Sequence, residues 1–203
     1  MDNNIYKLPY LPYKHNELEP YISEEQLRVH HEKLHQGYVS KINNLMESME
    51  AARDTKSQFD AKCFLKDVAF NLGGHTLHTL FWANLAPPGK GGGGSPKGKL
   101  KEAIEEEFGS EERFKKEFTE AALSVEGSGW VTLALSFESC RLLINQIEKH
   151  QVNVYPESSI LMILDMWEHA YFVDYKAEKE KYVEGFWNIV DWQAAEDRFE
   201  ASS

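Results

Sequence analysis

APPGKGGGGSPKGK, residues 86–99, divides the chain, because its density of proline and glycine permits neither a helix nor a sheet ladder. It reads as a domain boundary or a long surface loop, with one domain at residues 1–90 and another at 91–203. Before it, the segment from about Ser23 to Met49 carries Leu27, His30, His31, Leu34, Tyr38, Ile42 and Met46 at steps of three and four, the spacing of one helix face. Ser23 followed by Glu24 and Glu25 supplies a cap and a negative first turn. A second helix is expected from about Ser57 to Trp82, with Gly73 and Gly74 as weak points of ~1 kcal/mol each relative to alanine. Two long helices joined by a short loop make an antiparallel hairpin.

Beyond the loop, LKEAIEEEFGS (100–110) and EERFKKEFTEAALSV (111–125) read as amphipathic helices, the first ended by Gly109 and the second capped by Ser110. The texture then changes. WVTLALSF (130–137), CRLLINQI (140–147) and SSILMILDM (158–166) are short apolar runs bounded by Gly, Ser, Asn and Pro, which fits three strands of a buried sheet. From about Trp167 to Phe199 the spacing is helical again. The fold class is therefore α+β, an N-terminal antiparallel helical hairpin followed by an α+β domain with a three-stranded antiparallel sheet.

The chain has 203 residues and is 42% hydrophobic, enough to bury a sizeable core without staples. Its net charge of -11 argues against nucleic acid as a partner, although local cations could still steer a small anion to a site. No run approaches about 18 apolar residues, and the prolines and charges of MDNNIYKLPYLPYKHNE do not suit a signal peptide, so no membrane partner is expected. Cys63 and Cys140 lie in apolar surroundings without CxxC spacing, which predicts buried free thiols and a cytoplasmic location.

Most of the eight histidines sit in apolar stretches. VHHEKLHQGY (29–38) holds three of them, GGHTLHTLFW places His75 and His78 one turn apart, and LDMWEHAYF places Asp165 and His169 four apart. Asp165 could be a helix cap, and His75 and His78 could be packed histidines bonded to carbonyls. A carboxylate closing an apolar strand is nevertheless unfavourable to bury unless a cation or donors face it. Together the segments suit a mixed nitrogen and oxygen site for a first-row metal. Spacing alone does not say which histidines bind, and by itself would favour the i, i+4 pair His31 and His35. A metal-dependent hydrolase or a metal-storage module would use similar ligands.

DMWEHAYF (165–172) resembles the D-x-W-E-H-A-[FY]-[FY] signature of the iron/manganese superoxide dismutases. The resemblance extends to LPYLPYKHNELEPYIS, HHEKLHQGYV, GGHTLHTLFWANLAPP, VEGSGW and YVEGFWNIVDW, and so runs from about Leu8 to Phe199. It implies one iron or manganese ion per subunit, iron being favoured, that dismutes superoxide by alternating between two oxidation states. The implied ligands are His30, His78, Asp165 and His169 with a solvent molecule, whereas His31 and His35 do not bind. Two ligands come from each half, so metal binding is expected to couple to their docking. Tyr38 matches the tyrosine at the mouth of the site, and Trp82, Trp130 and Trp167 match its apolar walls. Lys33 and Lys176 are steering candidates.

The resemblance also implies a homo-oligomer, dimer or tetramer, in which Glu168 reaches the ligand histidine of another subunit. Two features depart from the commoner pattern. Gly74 stands where many members carry a glutamine that bonds the bound solvent, and IEKHQVNVYP assigns that role to His150, with Gln146 as the alternative. Leu34 and Phe172 stand where a histidine and a tyrosine usually pair between subunits, which predicts an apolar contact there.

Overall fold

The computed structural model describes residues 5–55 and 60–202. The first helical stretch is three pieces rather than one: α1 (Glu24–Arg28), a π-helical turn (Val29–His35) and α2 (Gln36–Thr55). Ser23 caps α1 as expected, its hydroxyl accepting the N–H of Gln26 at 3.1 Å. The returning helix α3 spans Ala61–Trp82, and Asp60 supplies its cap by accepting the N–H of Cys63. The expected start at Ser57 lies outside the described residues. α2 and α3 pack side by side as the expected hairpin.

The stretch at 86–99 is less free than its composition implies. The Ala86 N–H donates to the carbonyl of Ile189 at 2.8 Å and the Gly93 N–H to that of Val190 at 2.9 Å, so the loop is stitched onto the C-terminal segment. After it come α4 (Gly98–Phe108) and α5 (Glu111–Leu123), parted by Gly109 at φ 84°, with Ser110 capping α5 as predicted. The N-cap position of α4 is Lys97, whose side chain makes no cap bond. Glu196 from the far end of the chain does that work, accepting the N–H groups of Lys99 and Leu100 at 2.9 Å each.

The expected strands form a three-stranded antiparallel sheet: β1 (Gly129–Ser136), β2 (Leu142–Glu148) and β3 (Ser158–Asp165), in the order β2-β1-β3. β1 is buried along its whole length. That explains an apolar run without alternation. Its register sets Trp130 opposite Asp165, the last residue of β3. The C-terminal segment is not one helix but a 3-10 turn (Glu168–Ala170) and three helices, α6 (Phe172–Tyr175), α7 (Lys179–Phe186) and α8 (Trp192–Ser202). The break after α6 is at Lys176, which adopts a positive φ of 53°.

Both cysteines are free, but neither is buried, which corrects the sequence reading. Cys63 lies in the first turn of α3 and Cys140, at φ 53°, in the tight β1–β2 connection, so both project from element ends into solvent despite apolar neighbours in sequence. Among the described residues, no helix is long and apolar enough to cross a membrane.

Candidate metal centre

Four elements converge on one point. His30 comes from the π-turn, His78 from α3, Asp165 from the end of β3 and His169 from the 3-10 turn. One ligand-type atom from each lies within 4.8 Å of the others, and among the described residues no other group of three or more His, Cys, Asp or Glu does this. Asp165 is fully buried, with Oδ2 at 3.2, 3.6 and 3.3 Å from the Nε2 atoms of His30, His78 and His169. Its other oxygen, Oδ1, accepts the N–H of Trp167 at 2.9 Å. That bond steadies the start of the turn but does not cap a helix, since the N-cap position of the 3-10 turn is Trp167 and carries no side-chain cap bond.

The electrostatics favour the protonation states a cation requires. Burial by itself would raise the Asp165 carboxyl, but the His169 and His30 imidazoles that face it outweigh this and hold the group well below the usual carboxylate range. Burial brings the His30 imidazole down to about 4 and pushes His78 down as well. His78 Nδ1 donates to the carbonyl of Gly74 at 2.6 Å, which leaves Nε2 as the lone-pair nitrogen. The Nε2 atoms of both His30 and His78 are buried without a hydrogen-bond partner. A buried anion facing orphaned neutral imidazoles is unfavourable by itself, and an iron or manganese ion fits that donor set.

The π-turn explains the asymmetry of HHEKLH. In an α-helix a face recurs every three or four residues, whereas a π-turn bonds i to i+5 and so lets His30 and His35 both point inward. His30 meets the His78 ring edge-on at 4.9 Å, and His35 stacks on it at 5.2 Å. His35 does not join the ligand atoms. Its Nδ1 accepts the indole N–H of Trp82 at 2.9 Å, so its Nε2 carries the proton given to His75 Nδ1 at 2.8 Å. His31 turns away and donates to the carbonyl of Pro9 at 2.9 Å. Lys33 is exposed, and the Lys176 ammonium is occupied by the carbonyl of Val173 at 2.6 Å.

Around the cluster, Trp82 and Trp130 are buried and Trp167 is partly so. The indole N–H of Trp130 donates to His150 Nδ1 at 3.1 Å, which assigns the proton to Nε2, and that nitrogen donates to the Tyr38 hydroxyl at 2.9 Å. The His150 ring stacks on Trp167 at 4.4 Å and lies 5.7 Å from His78. Gln146 is elsewhere, its amide donating to Ala121 and Ser124 at 2.7 and 2.9 Å. Of the two candidate donors only His150 stands beside the cluster, and its one ring N–H is directed to Tyr38 rather than left free for a bound solvent.

Two family models match the chain. That of iron/manganese superoxide dismutases, alpha-hairpin domain, covers residues 5–86, and that of iron/manganese superoxide dismutases, C-terminal domain, covers 96–198. The chain belongs to the iron/manganese superoxide dismutases. It is similar to a "Superoxide dismutase [Fe]" of Methanothermobacter marburgensis, 52% identical over 98% of both chains. A protein of Pyrobaculum aerophilum with the same name is 48% identical over 96% of this chain and 92% of its own. A "Superoxide dismutase [Mn/Fe]" of Aeropyrum pernix is 45% identical over 96% and 91%. The protein is an enzyme that converts superoxide to dioxygen and hydrogen peroxide, with a mononuclear iron or manganese centre as cofactor.

The paired glycines of this dismutase have a reason that periodicity does not reveal. A Cβ on Gly73 would collide with the main-chain oxygen of His150, and one on Gly74 would lie 2.9 Å from the Tyr38 ring. α3 is thinned at both places so that the His150 loop and Tyr38 can close over the site. Gly73→Ala is therefore expected to destabilise the protein by about 1–3 kcal/mol despite alanine's better helix propensity, and to displace His150. Chemical denaturation of the variant measures this. A gain in stability would show that the contact is not needed.

Acid should loosen the metal-free protein in a defined window. Burial holds His30 and His150 to about 4 and His35 to about 3. Their unfolded values are near ~6.5, so between there and the folded values the unfolded chain binds more protons. Their stabilising contribution is complete above that upper limit and is lost as pH falls through the window. The urea midpoint of the metal-free protein should drop steadily between about pH 7 and about pH 4. A flat profile there would contradict neutral burial of these rings.

Proposed function

We propose that His30, His78, Asp165 and His169 are the protein ligands of the metal and that Tyr38 and His150 form its proton-handling pair. The observation that carries the ligand assignment is a fully buried carboxylate facing imidazole nitrogens that have no other partner. Iron is favoured because relatives near half identity are named for iron, and the relative named for both metals supports tolerance of manganese. When bound, the ion supplies one-electron chemistry, taking an electron from one superoxide and giving one to the next.

The chain's own groups set the conditions for that exchange. Three neutral imidazoles and one carboxylate cannot neutralise a divalent or trivalent cation, so the occupied site attracts a small anion despite the overall charge of -11. Trp82 and Trp130 exclude water from it. The Tyr38 hydroxyl accepts from His150 Nε2, which leaves its own proton free to point elsewhere. Burial first, and the Asp165 charge second, push the Tyr38 hydroxyl well above its ordinary range, so Tyr38 remains a proton holder rather than an anion. Trp130 fixes the tautomer on which this arrangement depends.

The working unit is a homodimer or a tetramer built from it, with the domain boundary near residue 90. Phe172 is 51% exposed under the Lys176 ammonium, and Glu168 beside it is exposed too. His169 is the one member of the cluster with an outer face, its side chain 18% exposed. A second copy that brings Glu168 to His169 and sets Phe172 within about 4–4.5 Å of Leu34 would cover these surfaces. Phe172→Asp is expected to shift sedimentation toward the monomer, and an unchanged mass would remove Phe172 from the interface. The two exposed free thiols suit the reducing cytoplasm.

Superoxide decay measured against metal content tests the whole reading. The rate should follow iron or manganese occupancy and vanish when zinc, which has no redox cycle, fills the site. Equal activity with zinc would favour hydrolytic chemistry instead.

A further inference from the structure

We infer that two buried carboxamides, Gln26 and Asn84, hold the two halves of the metal site in register before any ion binds, an inference resting on the ligand assignment proposed above. Gln26 lies in α1, four residues before His30, and is 1% exposed. Its Nε2 donates to the carbonyl of His169 at 2.7 Å, and its Oε1 accepts the N–H of Val173 at 3.1 Å. Asn84 follows α3, six residues after His78, and is 0% exposed. Its Nδ2 donates to the carbonyl of Ile163 at 3.1 Å, and its Oδ1 accepts the N–H of the same residue at 3.4 Å.

The two clamps share a logic. Each takes one main-chain donor and one main-chain acceptor from the other half of the molecule, and each lies close in sequence to a ligand on both sides. Gln26 joins the helix of His30 to the turn of His169. Asn84 joins the helix of His78 to β3, two residues before Asp165, on the edge that β1 does not pair. A carboxamide buried away from these partners would have unmet donor and acceptor groups, so its burial specifies one docked position. Leucine could fill the same volume but would leave the main-chain groups of Ile163, or of His169 and Val173, unpaired. Gln26 and Asn84 are thus positioning residues. They preassemble the cluster, and the ion need not supply the docking.

Hydrogen exchange on the unmodified, metal-free protein tests this directly. The amides of Val173 and Ile163 should be protected without metal. Rapid exchange that slows only after Mn2+ is added would overturn the inference. Gln26→Leu and Asn84→Leu should each weaken Mn2+ binding by about 10- to 100-fold and broaden the electron paramagnetic resonance of the bound ion. Phe118→Leu, which loosens the core away from the site, should do neither. Variants that bind Mn2+ like the unmodified protein, or lose no more than Phe118→Leu, would count against the clamps. Where a leucine variant does not fold, the exchange result decides. Protected amides in a protein that binds no Mn2+ would support the docking device and refute only the ligand assignment.

Discussion

Replacing Asp165 by alanine is expected to leave the protein without iron or manganese and to lower superoxide turnover by more than about 100-fold, beyond what loss of an outer partner usually causes. Asp165 is the only anion in the cluster, and its Oδ2 lies between 3.2 and 3.6 Å from three histidine nitrogens. Without it the site offers three neutral imidazoles and a cavity, and its affinity for a hard trivalent ion collapses. The variant also loses the bond from Oδ1 to the N–H of Trp167, so the turn that carries His169 is less well held. Metal analysis beside activity separates these effects. His31→Gln is the companion control. His31 donates to Pro9 outside the cluster, so that variant should keep its metal. Full occupancy and normal turnover in Asp165→Ala would sink the ligand assignment.

His150→Ala is expected to keep the metal but to slow turnover by about 10- to 100-fold and to shift the reduction potential. The imidazole joins Trp130 to Tyr38 through bonds of 3.1 and 2.9 Å and stacks on Trp167. Its removal leaves the Tyr38 hydroxyl without its donor and the buried indole N–H of Trp130 without its acceptor. Gln146 cannot substitute, since its amide is bonded to Ala121 and Ser124. Tyr38→Phe separates the proton pair from simple packing, because it removes the hydroxyl and keeps the ring against Phe70. The two variants should slow the same proton-dependent step. An unaltered potential and rate in His150→Ala would show that His150 only fills space.

Local chemistry was legible in the sequence wherever one short segment carries the decision. Ser23 and Ser110 cap the helices they precede, Gly109 ends α4, and three bounded apolar runs became the three strands. The DMWEHAYF spacing likewise held two of the four members of the buried cluster, because Asp165 closes a strand and His169 lies in the next turn. These outcomes depend on hydrogen bonds and side-chain periodicity within a few residues, which tertiary context seldom reverses.

Where groups converge from distant segments, only the tertiary structure decided. Spacing of three and four residues favoured His31 with His35, yet the π-turn puts His30 in the cluster, His35 behind His78 and His31 against Pro9. Gly73 and Gly74 looked like helix weak points until the loop of His150 and the ring of Tyr38 were seen to occupy the space of their missing side chains. Gln26, Asn84 and Glu196 carry no sequence signal at all. Each bonds main-chain groups from 79 to 147 positions away in the chain, and a buried amide or carboxylate acquires that role only when packing removes water and brings those groups within reach.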